Sequence, residues 1–121
     1  MPHLRYFEPH EFECDAHCGA CLGLMDETLL AKLDELRHRV KRPLVINSGY
    51  RCKARNLAVG GTADSSHMTG MAVDIACPDS GTRMLLVKEA LSLGFNRVGL
   101  GNGFVHLDID PDKPQCVLWL Y

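Results

Sequence analysis

The sequence predicts an α+β fold in which a mainly antiparallel sheet is flanked by helices. Three observations predict it: an amphipathic helical segment early in the chain, a second helical segment between strand-like segments, and short strands joined by tight turns near the C-terminal end. Strands joined by hairpins pair antiparallel, and helices placed before and between them are typical of α+β domains. With 121 residues the chain has the length of one domain, so we treat residues 1–121 as a single domain.

Three segments are expected to be helical, at residues 26–42, 53–59 and 82–93. The first has leucines at helical spacing on one face and charged residues on the other, so it belongs to the core. Asp26 is a good N-cap for this helix, and Pro43 stops it after a last turn rich in basic residues. Gly94 is the expected C-terminal cap of the third helix.

Five strands are expected, over residues 44–46, 71–76, 97–100, 104–109 and 117–120. Alternation in the second strand separates Asp74 from the apolar side chains beside it. Alternation in the fourth strand places His106 and Asp108 on one face. The Gly-Asn-Gly stretch at residues 101–103 predicts a hairpin between the third and fourth strands. Residues 1–25 are expected to be irregular.

Composition and charge exclude several classes of partner. The formal net charge is −2, the pI is near 6.3 and no basic run occurs, so nucleic acid is not expected as a partner. No apolar run approaches the roughly 18 residues of a membrane span, and the first residues lack the apolar core of an export signal. We therefore expect a soluble, monomeric domain with no membrane partner and no export signal of its own.

Six cysteines are many for a chain of this length, and three are clustered near the N-terminus. Cys14, Cys18 and Cys21 form a C-x-x-x-C-x-x-C pattern that is compatible with a structural zinc site. Because such sites usually take ligands in pairs from two segments, both His17 and Cys52 are candidates for the fourth ligand. Disulfide bonds fit the same cysteines, although the missing export signal favours reduced thiols. The pattern leaves a second metal, disulfides and free thiols open.

A histidine and an aspartate seven positions apart organise the rest of the chain. His67 follows a polar loop, and Asp74 lies inside a strand, where aspartate is depleted and a buried charge needs a partner. A second histidine, His106, lies in the alternating strand near the C-terminal end. Two imidazoles and one carboxylate match the ligand number of a catalytic zinc site, in which water takes the fourth position. A single histidine is more often an ordinary surface or core residue, so the prediction depends on the set of three.

Arg51 is the candidate catalytic and substrate-binding cation. It follows the turn at residues 48–50, just upstream of the histidine loop, so we expect its side chain to reach the same cleft. A guanidinium there can bind a substrate carboxylate through two hydrogen bonds or stabilise a developing oxyanion.

Three motifs together resemble the zinc D-Ala-D-Ala carboxypeptidase family. They are SGYR at residues 48–51, SSHMTGMAVDI at residues 65–75 and FVHLD at residues 104–108, the last followed by a tryptophan near the end of the chain. The likeness covers about residues 26–121 and is strongest to the compact branch of murein peptidases and phage lytic enzymes. It implies a fold that this family shares with the signalling domain of hedgehog proteins.

The resemblance also implies a cofactor, a substrate and a place of action. By this likeness, His67, Asp74 and His106 bind Zn²⁺, while Arg51 and Ser66 contact the substrate. Members of the family hydrolyse peptide bonds in the stem or cross-link peptides of peptidoglycan next to a D-amino acid, as carboxypeptidases or endopeptidases. Such a protein acts on the cell wall, in the periplasm, outside the cell or after delivery by a phage.

One position departs from the family pattern. Many relatives carry a glutamate or aspartate three residues before the last histidine as general base, and this chain has Gly103 there. Asp108 is the nearest candidate catalytic base; alternatively it accepts the N–H of a ligand imidazole and fixes its tautomer. Other acids that remain candidates are Glu8, Glu11 and Asp64. The departure also leaves open a second function, a weakly active or inactive zinc domain that binds peptidoglycan or a protein partner.

Overall fold

The structure is a computed structural model, and it describes residues 4–14 and 24–121. The helices are α1 (Glu27–Val40), α2 (Lys53–Ala58) and α3 (Ser80–Ser92), with two 3-10 helices at Pro9–Phe12 and Ser66–Thr69. The strands are β1 (Ile46–Ser48), β2 (Ala72–Ala76), β3 (Arg97–Gly101), β4 (Phe104–Asp108) and β5 (Val117–Leu120). Cys18, Cys21 and His17, which the sequence analysis considered as metal ligands, lie outside the described residues.

The five strands form one sheet in the order β1-β2-β4-β3-β5. Three of the four neighbouring pairs are antiparallel, and the β3–β5 pair is parallel. The predicted hairpin joins β3 to β4, and Gly103 in its turn has a φ of +79°. Residues 109–116 then carry the chain past β3 to the edge of the sheet, where β5 is added. The predicted α+β fold with a mainly antiparallel sheet is therefore confirmed.

The N-cap expected for α1 and the glycine expected after α3 are both present. The Asp26 side chain accepts a hydrogen bond of 3.1 Å from the backbone N–H of Leu29, which satisfies a donor in the first turn of α1. Lys41 closes α1 with a φ of +56°, and Gly94 follows α3 with a φ of +91°. Within the described parts of the chain, no helix is long and apolar enough to cross a membrane.

The hydrophobic core lies between one face of the sheet and helices α1 and α3. Its buried side chains include Leu29, Leu30, Leu33 and Leu36 of α1, Leu86 and Ala90 of α3, and Val73, Ile75, Val98, Val105 and Leu107 of the sheet. In β2 and β4 these core residues alternate with Asp74, His106 and Asp108, so the polar side chains project from the opposite face. The candidate site therefore lies on the face of the sheet that is turned away from the core.

The first strand lies later in the chain than predicted. The sequence indicated residues 44–46, whereas β1 is Ile46–Ser48, because Ile46 pairs with Ile75 and Ser48 pairs with Asp74. An irregularity in the pairing separates these two positions. Pairing with β2, and not the apolar run itself, sets the bounds of β1. As a result, the turn before Arg51 starts directly beside Asp74.

Within residues 4–14, the structure contains a 3-10 helix where the sequence analysis expected irregular structure. The 3-10 helix Pro9–Phe12 ends in a buried phenylalanine that packs into the core cluster. The backbone carbonyl of Phe12 accepts a 3.0 Å hydrogen bond from Tyr50, and a Cβ added to Gly49 would lie 2.8 Å from the Phe12 Cα atom. The glycine of the SGYR motif thus leaves room for the N-terminal segment, which packs against the turn that precedes Arg51.

Candidate metal centre and cavity

Two histidines and an aspartate meet on the polar face of the sheet. One ligand atom from each of His67, Asp74 and His106 lies within 4.8 Å of the others. Asp74 Oδ1 lies 3.3 Å from His67 Nε2 and 2.9 Å from His106 Nδ1. The structure therefore brings together the three residues that the sequence analysis singled out as metal ligands.

Strand pairing and a short helix position these side chains. Asp74 of β2 and His106 of β4 are direct partners in the antiparallel register, a pairing that puts side chains on one face side by side. His67 lies in the 3-10 helix Ser66–Thr69, which precedes β2 and begins with the Ser65 hydroxyl accepting the His67 N–H. Gly70 ends this helix with a φ of +72°, at a point where a Cβ would clash with the Leu24 carbonyl oxygen. Glycine is required here on both counts.

The second nitrogen of each imidazole is held by an acceptor. His67 Nδ1 lies 2.9 Å from the Gly49 carbonyl oxygen, and His106 Nε2 lies 2.7 Å from Asp108 Oδ2. Because a carbonyl and a carboxylate only accept, these nitrogens carry the hydrogen. His67 Nε2 and His106 Nδ1 both face Asp74: in the neutral ring each carries a lone pair that can bind a metal, and without a metal a proton on either atom donates to the Asp74 carboxylate. Histidines that bind a metal are normally oriented in this way.

The carboxylates of the site are kept ionised by their neighbours. Burial raises the pKa of Asp74, but hydrogen bonds from His106 and His67 outweigh it and hold that pKa well below its usual range. Burial likewise raises the pKa of Asp108, and hydrogen bonds from His106 and Arg97 lower it further than burial raises it. Asp74 is therefore available as an anionic ligand across the neutral range.

The donor set fits zinc. Two imidazole nitrogens and one carboxylate oxygen are ligands that zinc prefers, and three protein ligands leave a fourth position for water or substrate. The three ligand atoms face one another, and the backbone carbonyl of Gly49 and the carboxylate of Asp108 hold the outer nitrogen of each imidazole. His67, Asp74 and His106 would hold the ion.

Arg51 lies beside this cluster. Its Nη2 atom is 3.7 Å from Asp74 Oδ2 and 3.4 Å from Ser48 Oγ. Its Nη1 atom donates a 3.0 Å hydrogen bond to Asn56 Oδ1. Gly61 packs against this pair, since a Cβ there would lie 2.9 Å from Arg51 Nη1. The guanidinium is thus held in one orientation next to a candidate metal ligand, in the cleft expected from the sequence.

Asp108 is almost fully buried, with 1% of its surface exposed. Its Oδ2 atom accepts from His106, while Oδ1 accepts from Arg97 Nε at 2.6 Å and from the backbone N–H of Asp110 at 3.2 Å. Asp108 thus contacts one nitrogen of the His106 imidazole, and Asp74 contacts the other. Its geometry favours the orienting role over the role of catalytic base.

Arg97 was missed by the sequence analysis, which treated residues 97–100 only as a strand. It is the direct register partner of Asp108 across β3 and β4, and its guanidinium lies 5.1 Å from the centre of the Trp119 ring. A charged residue at the start of an otherwise apolar strand needs a partner once buried. That signal could have found Arg97, but not the identity of its partner.

A cavity of about 630 Å³ opens over the cluster. Its lining includes the three candidate ligands, Arg51, Arg97, Asp108, Ser66, Lys113, residues 59–62, Phe104, Trp119 and Tyr121. Phe104, Trp119 and Tyr121 form an aromatic wall, in which Trp119 lies 5.4 Å from the His106 ring centre and Phe104 lies 5.0 Å from that of Tyr121. Gly99 makes room for this wall, because a Cβ there would be 2.7 Å from both Trp119 and Tyr121.

The acids that the sequence analysis proposed as alternative bases lie elsewhere. Among the described residues that line the cavity, the carboxylates are those of Asp74 and Asp108, so Glu8, Glu11 and Asp64 do not contribute side chains to it. Gly103 lies in the β3–β4 turn, where an added Cβ would meet open space but the positive φ would strain any other residue. The turn of this hairpin therefore favours glycine at position 103.

The structure brings two of the four candidate cysteines together. The Sγ atoms of Cys14 and Cys52 are 3.5 Å apart, and the Cys52 N–H donates to Cys14 Sγ at 3.4 Å. Cys18 and Cys21 lie outside the described residues, so the grouping of all four stays a prediction. The contact between Cys14 and Cys52 therefore links the N-terminal segment to the chain directly after Arg51.

Comparison with known proteins agrees with this geometry. A sequence profile described as peptidase M15 matches residues 5–108. The chain belongs to the peptidase M15 family. The matched range includes the three candidate ligands and Arg51, and it starts in the N-terminal segment, earlier than the motifs indicated. The M15 match ends with β4, so the aromatic residues Trp119 and Tyr121 lie beyond it.

A curated protein is also similar to this M15 chain. Over 74 residues the chain is 35% identical to the zinc D-Ala-D-Ala carboxypeptidase of Streptomyces albus G. The aligned part is 60% of this chain but 28% of that protein. The chain therefore spans little more than a quarter of the length of this relative.

Proposed function

We propose that this chain is a zinc-dependent peptidase that hydrolyses peptide bonds in the stem or cross-link peptides of peptidoglycan, next to a D-amino acid. The observation that carries the proposal is the cluster of His67, Asp74 and His106 at the cavity beside Arg51. Membership of the peptidase M15 family and the similarity to a zinc carboxypeptidase support it. The proposed place of action is the bacterial cell wall.

His67, Asp74 and His106 would hold the metal at the cavity, and a set of three protein ligands would leave a position for water or substrate. Zinc in such a site lowers the pKa of a bound water toward neutrality and polarises a neighbouring carbonyl group. Gly49 and Asp108 keep the imidazoles in the tautomers that this requires. Asp74 and His106 are held on paired strands, and ligands on such rigid elements need little rearrangement during turnover.

Arg51 supplies positive charge where the substrate reacts. Its guanidinium is fixed by Asn56 and Ser48 and lies 3.7 Å from Asp74 Oδ2. A carbonyl oxygen bound beside the metal ligands would be within reach of its N–H groups as negative charge develops. Fixed donors of this kind stabilise an oxyanion without reorganising during the reaction.

The aromatic wall supplies the apolar side of the cavity. Phe104, Trp119 and Tyr121 line the cavity together with a glycine-containing loop at residues 59–62. Small aliphatic side chains such as the methyl group of alanine can pack against these rings and exclude water. Ser66, next to His67 in the chain, contributes a hydroxyl to the same lining.

A peptide assay tests the proposal directly. The protein is incubated with diacetyl-L-Lys-D-Ala-D-Ala and with isolated peptidoglycan, and released D-Ala or cut muropeptides are measured by chromatography. We expect hydrolysis that is lost with a chelator, restored by zinc and absent in His67→Ala. His38→Ala is the matched control. His38 is distant in sequence from the three candidate ligands, and its imidazole hydrogen-bonds to the hydroxyl group of the exposed Tyr6.

The second candidate function is a non-catalytic zinc domain that binds peptidoglycan or a protein. It is favoured by one observation, namely that both oxygens of Asp108 accept hydrogen bonds from protein groups. Sedimentation with isolated peptidoglycan, without release of any fragment, would support this function and contradict the peptidase.

A further inference from the structure

Lys113 places an ammonium group at the cavity from the loop between β4 and β5. Its Nζ atom donates to the Asp64 carbonyl oxygen at 2.6 Å and to Ser66 Oγ at 3.0 Å. Its side chain is 20% exposed and lines the cavity. A lysine has three N–H donors, so these two contacts hold the group in place and leave one donor for a ligand.

The Ser66 hydroxyl is held by the same loop. Its hydrogen is donated to Asp110 Oδ2 at 2.7 Å, because a carboxylate can only accept. Asp110 is itself buried, and its Oδ1 atom accepts the backbone N–H of Asp112 at 3.0 Å. Ser66 Oγ therefore accepts from Lys113 and has a lone pair left for one more donor. Toward a substrate this hydroxyl acts as an acceptor.

The cations of the cavity differ in how closely they are paired. Arg97 Nε is 2.6 Å from the Asp108 carboxylate, and Arg51 lies beside Asp74 while bonding to neutral side chains. The carboxylate nearest to Lys113 is that of Asp110, at 3.9 Å, and it already accepts from Ser66. Among the described cations that line the cavity, Lys113 and Arg51 have no carboxylate within hydrogen-bond distance, and Arg51 is the one that lies beside the candidate metal ligand Asp74.

We propose that Lys113 is a specificity-determining residue that binds a free carboxylate of the substrate peptide, while Ser66 accepts an N–H of the same substrate. This inference rests on the proposed peptidase function and names the chemistry that the cavity selects. Lys113 Nζ and Ser66 Oγ are 3.0 Å apart, so one carboxyl-bearing residue can reach both. Arg51, which lies beside the candidate metal ligand Asp74, then remains available to bind the carbonyl oxygen of the bond that is hydrolysed.

Three peptides distinguish the source of the carboxylate. The first is a stem-type peptide ending in D-Ala-D-Ala with all carboxyl groups free. The second carries an amide at its C-terminus, and the third carries an amide at the α-carboxyl group of its glutamate residue. For the wild-type protein we expect one amidation to lower kcat/KM by about 10- to 100-fold, the size of one lost charge-assisted hydrogen bond. The other amidation should have little effect.

Variants of Lys113 test whether this residue causes the preference for a free carboxylate over an amide. In Lys113→Gln we expect the free acid and the sensitive amide to be cleaved at similar rates, and in Lys113→Arg we expect part of the preference to return. Lys88→Gln is the matched control, because Lys88 is an exposed residue of α3. A Lys113→Gln variant that lowers turnover of all three peptides by one common factor, or changes none of them, overturns the proposal.

Binding separates this proposal from the peptidase function itself. Trp119 is the single tryptophan of the chain and lines the cavity, so its fluorescence reports occupancy without hydrolysis. If the wild-type protein cleaves no peptide, the peptidase proposal fails. A titration of the protein with each peptide, followed by Trp119 fluorescence, still tests the role of Lys113. Tighter binding of the free acid than of an amide, lost in Lys113→Gln, supports the role of Lys113. Equal binding of all three peptides to the wild-type protein overturns it.

Discussion

His106 Nδ1 lies 2.9 Å from Asp74 Oδ1, and the two residues are direct partners in the antiparallel pairing of β4 with β2. A shift of the register by one residue would send one of these side chains into the core. The same register buries Val73 against the core face, so the packing of apolar residues also holds the candidate ligands together. The stability of the sheet and the geometry of the site therefore depend on one alignment.

The first prediction concerns metal content. We expect the protein to bind one zinc ion through His67, Asp74 and His106, and we expect His67→Ala or His106→Ala to remove that ion. Elemental analysis and native mass spectrometry of purified protein measure it, with His38→Ala as a variant that should retain the metal. A wild-type protein that takes up no zinc at this site, or ligand variants with unchanged zinc content, would contradict the prediction.

The second prediction separates the two roles of Asp108. Because this carboxylate holds His106 Nε2 at 2.7 Å, we expect Asp108→Asn to weaken zinc binding by about 10- to 100-fold. Competition with a chromophoric chelator measures the affinity. Unchanged zinc affinity together with turnover that falls by about 10²–10⁴-fold would instead identify Asp108 as the catalytic base.

The third prediction concerns Arg51. We expect Arg51→Lys to lower kcat by about 10²-fold, the lower end of the effect of losing an oxyanion donor, because lysine lacks the planar fork that reaches Asn56 and the reacting carbonyl together. Zinc content should stay the same, since Arg51 is not a ligand. Kinetics on a peptide substrate and metal analysis of the same sample check both statements. Unchanged kinetics would refute this role.

The fourth prediction concerns acid stability and a pair outside the site. Burial raises the pKa of Asp34, but hydrogen bonds from the Arg5 side chain and from the backbone of Arg5 and Tyr6 outweigh it, so the pKa is lowered. A pKa that is lower in the folded state stabilises the protein above the unfolded value of about 3.9. That contribution is lost as the pH falls through the folded pKa.

Asp34→Asn tests the acid-sensitive contribution. At neutral pH we expect the free energy of unfolding to fall by about 1 kcal/mol, a typical net value for hydrogen bonds of this kind, since Arg5 is half exposed and its ion pair is weak. Urea denaturation of both proteins between neutral and acidic pH measures the difference. The difference should shrink toward acidic pH, and a constant difference would exclude the carboxylate as its source.

The fifth prediction concerns the cysteines. We expect Cys14, Cys18, Cys21 and Cys52 to gather, either around a second metal ion or in disulfide bonds, because the described pair is already 3.5 Å apart. Native mass spectrometry before and after reduction distinguishes zinc from disulfides, and alkylation counts the thiols. The exposed Cys116 is an internal control that should react at once. Free thiols on all four cysteines, with no second metal, would end this prediction.

Much of the fold and the central part of the site could be predicted from the sequence, because both depend on local patterns. Helical spacing and an N-cap set the bounds of α1. Period-two alternation in β2 and β4 separated the core residues from Asp74 and His106. A carboxylate inside a strand required a partner, and the resemblance of the motifs to a zinc peptidase family indicated that His67 and His106 are its partners.

The contacts that surround this set depend on how distant segments meet. Arg97 opposes Asp108 only through the register of β3 with β4, and Lys113 reaches Ser66 only through the path of the loop that leads to β5. The position of Trp119 in the aromatic wall depends on β5 joining the edge of the sheet parallel to β3. Each of these contacts joins residues whose local sequence carries no information about the partner, so the tertiary structure alone decided them.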